Sequence, residues 1–258
     1  MDLGLKDKVV IVTGGSRGIG FACAEAFLAE GARVGIVSRS EASLSAARAR
    51  LPGVAAASAD LIDADAALRA VEALERELGP VDVLVNSAGA ARRTPPDELS
   101  PAAYRAAMDA KFFSYVNVSD PVVKSMAGRG TGVIVNVVGN GGKVASPTHI
   151  PGGAANSALM LMTAGLANAY ASRGVRVVAV NPGTTETERM VQGMEADARL
   201  AGTSIEEARQ RGLARIPIGR FATSGEIAAM VVFLASARAS YVTGVSISMD
   251  GASNPIVV

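Results

Sequence analysis

Short runs of valine and isoleucine recur along the chain and alternate with longer, alanine-rich stretches that repeat their apolar positions with helical period. The runs at 9–13, 33–37, 54–58, 81–86, 132–138, 175–181 and 245–249 are apolar on both faces. A half-exposed strand would alternate polar and apolar residues, so these runs predict parallel strands covered on both sides. Helices are predicted between them at 18–29, 42–49, 64–78, 101–126, 154–171 and 224–235. Right-handed crossovers then wind the helices onto both faces of a seven-stranded sheet. The expected architecture is an α/β fold of the Rossmann type, doubly wound, as one domain over 1–258.

Two intervals depart from this rhythm. Positions 144–172 hold no Asp, Glu, Lys or Arg, but Pro147, Pro151, Gly152 and Gly153 interrupt the stretch. It therefore predicts a helix packed between protein surfaces and not a membrane span. Positions 183–220 concentrate charge, from Glu186, Glu188 and Arg189 through Arg211, and predict solvated helices that form a lid over the substrate.

Charge narrows the partners. Among 258 residues, 25 basic and 24 acidic side chains leave a formal charge of +1, so no field draws the chain to nucleic acid or to a membrane. A small molecule or another copy of the chain is the expected partner. The single cysteine, Cys23, excludes a disulfide framework, and the single histidine, His149, argues against an all-protein metal site. Both fit a reducing, cytoplasmic compartment.

The strongest local signal is Thr13-Gly14-Gly15-Ser16-Arg17-Gly18-Ile19-Gly20, directly after an apolar strand and before a helix. Glycines there let the backbone turn sharply and approach a diphosphate, and the helix N-terminus offers free amides to its charge. The motif resembles T-G-x-x-x-G-x-G of the short-chain dehydrogenase/reductase superfamily. Further likeness follows at Asp60-Leu61, Asn86-Ser87-Ala88-Gly89, Asn181-Pro182-Gly183 with Thr187, and 227–250, so it runs almost end to end. The resemblance implies a bound nicotinamide dinucleotide and assembly as a homodimer or homotetramer. The implied cofactor contacts are Gly14, Ser16, Arg17, Gly18, Ile19, Gly20, Ser38, Arg39, Asp60, Leu61, Asn86, Ala88, Gly89, Pro182, Gly183 and Thr187. Where a dinucleotide fold selective for NAD(H) ends its second strand in an acidic residue, this chain has Ser38-Arg39, with Arg17 as a second cation. Paired guanidinium groups suit a 2′-phosphate, so NADP(H) is expected over NAD(H).

The family's proton-transfer residues are not matched. By the resemblance, Gly152 stands where the family has its tyrosine, Asn156 where it has lysine, Gly139 where it has serine and Lys111 where it has asparagine. The expected replacement uses His149 as acid or base, since an imidazole near its ordinary pKa transfers protons at neutral pH and a nearby ammonium lowers that pKa further. Lys111 biases its protonation and orients water, while Asn156 and Asn140 position the carbonyl oxygen. Tyr104, Tyr115, Tyr170 and Tyr241 are expected in the core or an interface, and Lys143 on a solvated loop. The function expected first is an NADP(H)-dependent oxidoreductase interconverting a carbonyl and a secondary alcohol. A dinucleotide-binding sensor or assembly subunit without turnover, and a non-redox lyase on the same fold, are the alternatives.

Overall fold

The computed structural model describes residues 2–89 and 93–256. The strands are β1 (Val9–Thr13), β2 (Arg33–Ser38), β3 (Ala55–Ser58), β4 (Val83–Asn86), β5 (Gly132–Val137), β6 (Val175–Pro182) and β7 (Ser246–Met249). They form one parallel sheet in the order β3-β2-β1-β4-β5-β6-β7. Strand ends differ from the sequence expectation by only one or two residues. The helices are α1 (Gly18–Ala29), α2 (Glu41–Arg50), α3 (Ala64–Leu78), α4 (Pro101–Ala107), α5 (Ser114–Arg129), α6 (Ile150–Tyr170), α7 (Glu188–Ala201), α8 (Ile205–Ala214) and α9 (Ser224–Ala235). Among the described residues, no helix is long and apolar enough to cross a membrane.

Each face of the sheet supports its own core. Val10, Val12, Val34, Ile36, Val135 and Val178 pack with residues of α1, α2 and α9 on one side. On the other, Ile11, Val37, Leu84, Ile134 and Val177 pack with residues of α3 and α5. Successive residues of a strand therefore serve opposite cores, which is why the runs are apolar throughout. Gly35 in β2 lets α3 approach closely: a Cβ there would lie 3.0 Å from Leu74 Cδ2.

The helix expected at 101–126 is not continuous. A π-helical turn, Met108–Phe113, separates α4 from α5. Ser114 Oγ donates to the carbonyls of Ala110 (3.1 Å) and Lys111 (3.2 Å), satisfying oxygens at the point where the register changes. Such insertions re-aim side chains, and here the re-aimed residue is Lys111. The helix expected at 154–171 also starts earlier, at Ile150, because Pro151 sits in its first turn, where no intrahelical N–H is needed.

The strand order reverses between β1 and β4, the place where doubly wound sheets take their ligands, in the crevice beyond the carboxyl ends of the strands. Thr13 closes its floor: its Oγ1 accepts from the amides of Ser87 (3.1 Å) and Ala88 (3.2 Å). The segment 183–220 contributes α7 and α8.

Leu74 is 1% exposed. Leu74→Ala should lower the free energy of unfolding by about 2–5 kcal/mol, the usual cost of a core leucine deletion. Urea denaturation checks this, and a loss well under 1 kcal/mol contradicts the packing of α3 on Gly35.

Candidate active site

The glycine-rich turn follows β1 and opens α1. Gly14 and Gly18 adopt φ +67° and +55°, and a Cβ on Gly20 would collide with the Gly14 carbonyl oxygen. A Cβ on Gly14 would lie 2.8 Å from the Ala88 backbone, so the turn after β1 is locked against the one after β4. Only backbone fills this cradle, which fits a dinucleotide diphosphate lying against the N-terminus of α1. Ile19 packs inward against the core. Thr187, at the start of α7, lies over Gly18: its Cγ2 is 3.6 Å from the place a Cβ would take.

Ser16 Oγ donates to Ser38 Oγ at 3.0 Å, bringing the glycine turn to the end of β2. Arg39 beside it is exposed, and Ser58 Oγ donates to its carbonyl. Arg17 is exposed and lies 3.6 Å from Glu188 of α7. Asp60 caps its own turn by accepting from the Ile62 amide, and Asn117 Nδ2 holds the carbonyl of buried Leu61 at 2.9 Å. Gly183 donates its amide to Met249, following Pro182 at the end of β6. Asn86 differs from expectation. Its side chain is fully buried and its Nδ2 donates to Ser119 Oγ (2.8 Å) and Asn136 Oδ1 (3.0 Å). The amide thus braces β4 against β5 and α5.

Beyond β5 the chain makes two loops of glycine into one site. A Cβ on Gly152 would run into the His149 imidazole, and one on Gly141 would lie 2.8 Å from its Cδ2. The ring therefore fills a slot that exists because both positions lack side chains. Gly139, at φ +121°, sits where a Cβ would come within 3.3 Å of Asn156 Nδ2. That nitrogen is also 3.5 Å from the Cβ position of Gly141, so Asn156 and His149 converge on one turn.

His149 Nδ1 is buried with no hydrogen-bond partner among the described residues. That leaves Nε2 as the nitrogen to exchange a proton, and it accepts one only when the neutral ring carries its own hydrogen on Nδ1. Burial first, then the charges of Arg93, Arg189 and Lys111, push the His149 pKa down to about 4, against a small opposing effect of Asp197. The lowering goes in the direction expected from the Lys111 ammonium, with burial as the larger cause, and the ring is neutral at pH 7.

Lys111 is 8% exposed, and its Nζ donates to Tyr115 Oη (2.8 Å) and to the Val137 carbonyl (2.9 Å) at the end of β5. Tyr115 Oη donates to the same carbonyl at 2.7 Å. Burial, reinforced by the charge of Arg189, lowers the Lys111 pKa to about 7, and burial holds the Tyr115 phenol well above its usual range. Two N–H bonds suit a neutral amine, whose lone pair remains for a third partner.

Asn140 is placed differently from its expected role. Its Nδ2 donates to Asp250 Oδ2 at 2.7 Å, and the same oxygen accepts from Asn254, so Asn140 braces the C-terminal segment instead of holding a carbonyl oxygen. Lys143 reaches the Ser246 carbonyl and Ser248 Oγ on β7. Sequence reasoning missed Tyr115 as the partner of Lys111, although its i+4 spacing on a helix was a usable signal. It also missed Arg93 and Arg189, the latter donating to the Gly89 carbonyl at 3.1 Å. No local pattern marked either.

The family model described as short chain dehydrogenase matches residues 8–198. The chain is 36% identical over 259 residues to 2-(S)-hydroxypropyl-CoM dehydrogenase 3 of Xanthobacter autotrophicus, covering 98% of each chain. It is 36% identical over 243 residues to galactitol 2-dehydrogenase (L-tagatose-forming) of Cereibacter sphaeroides, covering 93% of this chain and 92% of that one. Among solved structures, L-sorbose reductase of Gluconobacter frateurii, complexed with NADPH and L-sorbose, superposes with a TM-score of 0.89 at 27% identity over 100% of both chains. With its strand-order reversal beside the glycine-rich turn and a family match across most of its length, this chain belongs to the short-chain dehydrogenase family.

Proposed function

We propose that the chain interconverts a secondary alcohol and a carbonyl with NADP(H), and that His149 carries out the proton transfer for which its relatives are expected to use a tyrosine. As a short-chain dehydrogenase it is an oxidoreductase acting on alcohol and carbonyl groups with a nicotinamide dinucleotide. The observation that carries the finer reading is the seating of the His149 ring between Gly141 and Gly152, with Nδ1 sealed. A tyrosine at 152 and this imidazole exclude each other sterically, so the glycine and the histidine act as a pair.

The residues proposed to hold the dinucleotide are the backbone of Gly14 to Gly20 for the diphosphate and Ser38, Arg39 and Arg17 for the 2′-phosphate. Asp60 and Leu61 would meet the adenine, and Ala88, Gly89, Pro182, Gly183 and Thr187 the nicotinamide end. When bound, the nicotinamide supplies or accepts the hydride. The remaining chemistry belongs to the protein. In alcohol oxidation the neutral His149 ring, with its own hydrogen on Nδ1, takes the hydroxyl proton at Nε2, and Asn156 Nδ2 holds the oxygen as its charge develops. Lys111 supplies a nearby positive charge when protonated, which disfavours the imidazolium and hastens release of that proton to solvent. A neutral base suits oxidation better than reduction, because reduction must draw on a sparse imidazolium population.

The names of the relatives support an alcohol or sugar as substrate: one is a hydroxypropyl-CoM dehydrogenase, one a galactitol dehydrogenase, and one a sorbose reductase seen with NADPH. Leu161, 76% exposed on the uncharged helix α6, supports assembly with further copies of the chain, and the buried Cys23 supports a reducing, cytoplasmic setting. In this reading α7 and α8 form the lid over the substrate.

His149→Gln should lower alcohol-oxidation kcat by about 10²–10⁴-fold while dinucleotide affinity holds, since glutamine cannot exchange the proton. The wild-type rate should fall through a limb near pH 4, where His149 gains its proton, and the variant should lack that limb. Absorbance of the reduced nicotinamide over a panel of secondary alcohols reads both, and wild-type turnover in the variant overturns the assignment. Separately, Arg39→Asp should weaken NADPH relative to NADH by at least about tenfold in calorimetric titration, as a charge-assisted phosphate contact becomes a repulsion. An unchanged ratio removes Arg39 from the cofactor site.

A further inference from the structure

Three segments distant in sequence meet beside the His149 slot. Arg93 Nη1, in the loop after β4, donates to Thr148 Oγ1 at 3.0 Å and to Asp197 of α7 at 3.2 and 3.4 Å. Thr148 Oγ1 in turn donates to Asp197 Oδ1 at 3.0 Å, and the Thr148 carbonyl accepts from the Thr94 amide at 2.9 Å. Gly193 makes the approach possible, since a Cβ there would lie 3.0 Å from Arg93 Nε. Thr148 is 2% exposed and directly precedes His149. The His149 backbone is fixed as well, its amide donating to Ser146 and its carbonyl accepting from Gly153.

An arginine–aspartate pair that is 37% and 45% exposed contributes little to stability by itself. Its geometry says more than its strength. Two side chains, Arg93 and Asp197, converge on Thr148, the residue that leads into His149, and Asp197 belongs to α7. We propose that Arg93, Thr148 and Asp197 are positioning residues, a clasp through which α7 holds His149 in the Gly141–Gly152 slot. The consequence is that α7 and the proton-transfer residue move together: the ring is correctly set only while α7 is down, and loosening the clasp frees both. The inference rests on the role of His149 proposed above.

Among the described residues, the charged and titratable groups that face His149 are Arg93 from the loop after β4, Lys111 from the π-helical turn, and Arg189 and Asp197 from α7. Arg93, Arg189 and Lys111 oppose protonation of the ring and Asp197 favours it. This gives a signed test that mere loosening of the fold does not mimic. His149 is the only histidine in the chain, so its ring C–H resonances are followed by NMR without assignment, in the full-length protein and without substrate. Asp197→Asn should move the titration midpoint down and Arg93→Gln should move it up, each by about half a pH unit or more, the scale of one nearby charge in a partly buried setting. Thr148→Val keeps both charges and should broaden or double the ring resonance, whereas Thr148→Ser should keep it single. Midpoints that stay at the wild-type value, or that shift in the same direction in the Asp197 and Arg93 variants, overturn the clasp, as does a single sharp resonance in Thr148→Val. Full turnover in His149→Gln would instead defeat the catalytic reading while leaving the titration result intact.

Discussion

The site depends on one packing relation, an imidazole lodged between two glycines. Gly141 and Gly152 belong to different segments, and neither tolerates a Cβ while the His149 ring is in place. The slot decides the ring's chemistry as well as its position. It seals Nδ1 away from any partner among the described residues, which disfavours the imidazolium and leaves Nε2 as the nitrogen proposed to exchange the proton. The neighbouring Gly139 and Asn156 follow the same logic, since the amide lies where a side chain at 139 would intrude.

Electrostatics reinforces what packing begins. A lysine amine is rarely buried unless it is paired or neutral, and among the described residues Lys111 has no carboxylate as hydrogen-bond partner, only a phenol and a carbonyl. Burial therefore brings its pKa to about 7, where loss and gain of a proton are nearly balanced. The π-helical turn that places it there packs against Gly89, where a Cβ would strike the Ala110 carbonyl oxygen. The crevice floor, the irregular helix and the buried amine are thus one construction at the point where the strand order reverses.

Most of the fold was legible because it is written in local periodicity. Apolar runs on both faces gave the strands, and the strand–turn–helix setting of Thr13 to Gly20 gave the cradle. The interrupted helix at 108–113 was not legible, because the side chains around it suit an ordinary helix and the register change is imposed by packing and satisfied by Ser114. At the site, the unusual residues at 111, 139, 152 and 156 stood out by resemblance to the family, and His149 stood out as the lone histidine. What they do to one another did not. The depressed pKa of His149 comes first from burial and then from Arg93 and Arg189 as well as the expected Lys111, and Arg93 meets Asp197 across 104 positions of sequence. Asn86 and Asn140 were assigned outward roles by motif and position, whereas burial and a neighbouring carboxylate turned their amides to structural use.

Chemical rescue tests the central claim most directly. His149→Gly empties the slot, and free imidazole added to this variant takes the place of the missing ring. The account predicts that alcohol oxidation, nearly lost in His149→Gly, rises and saturates with imidazole concentration, and that imidazole leaves the wild-type rate unchanged. Undiminished oxidation by His149→Gly in the absence of imidazole would contradict it.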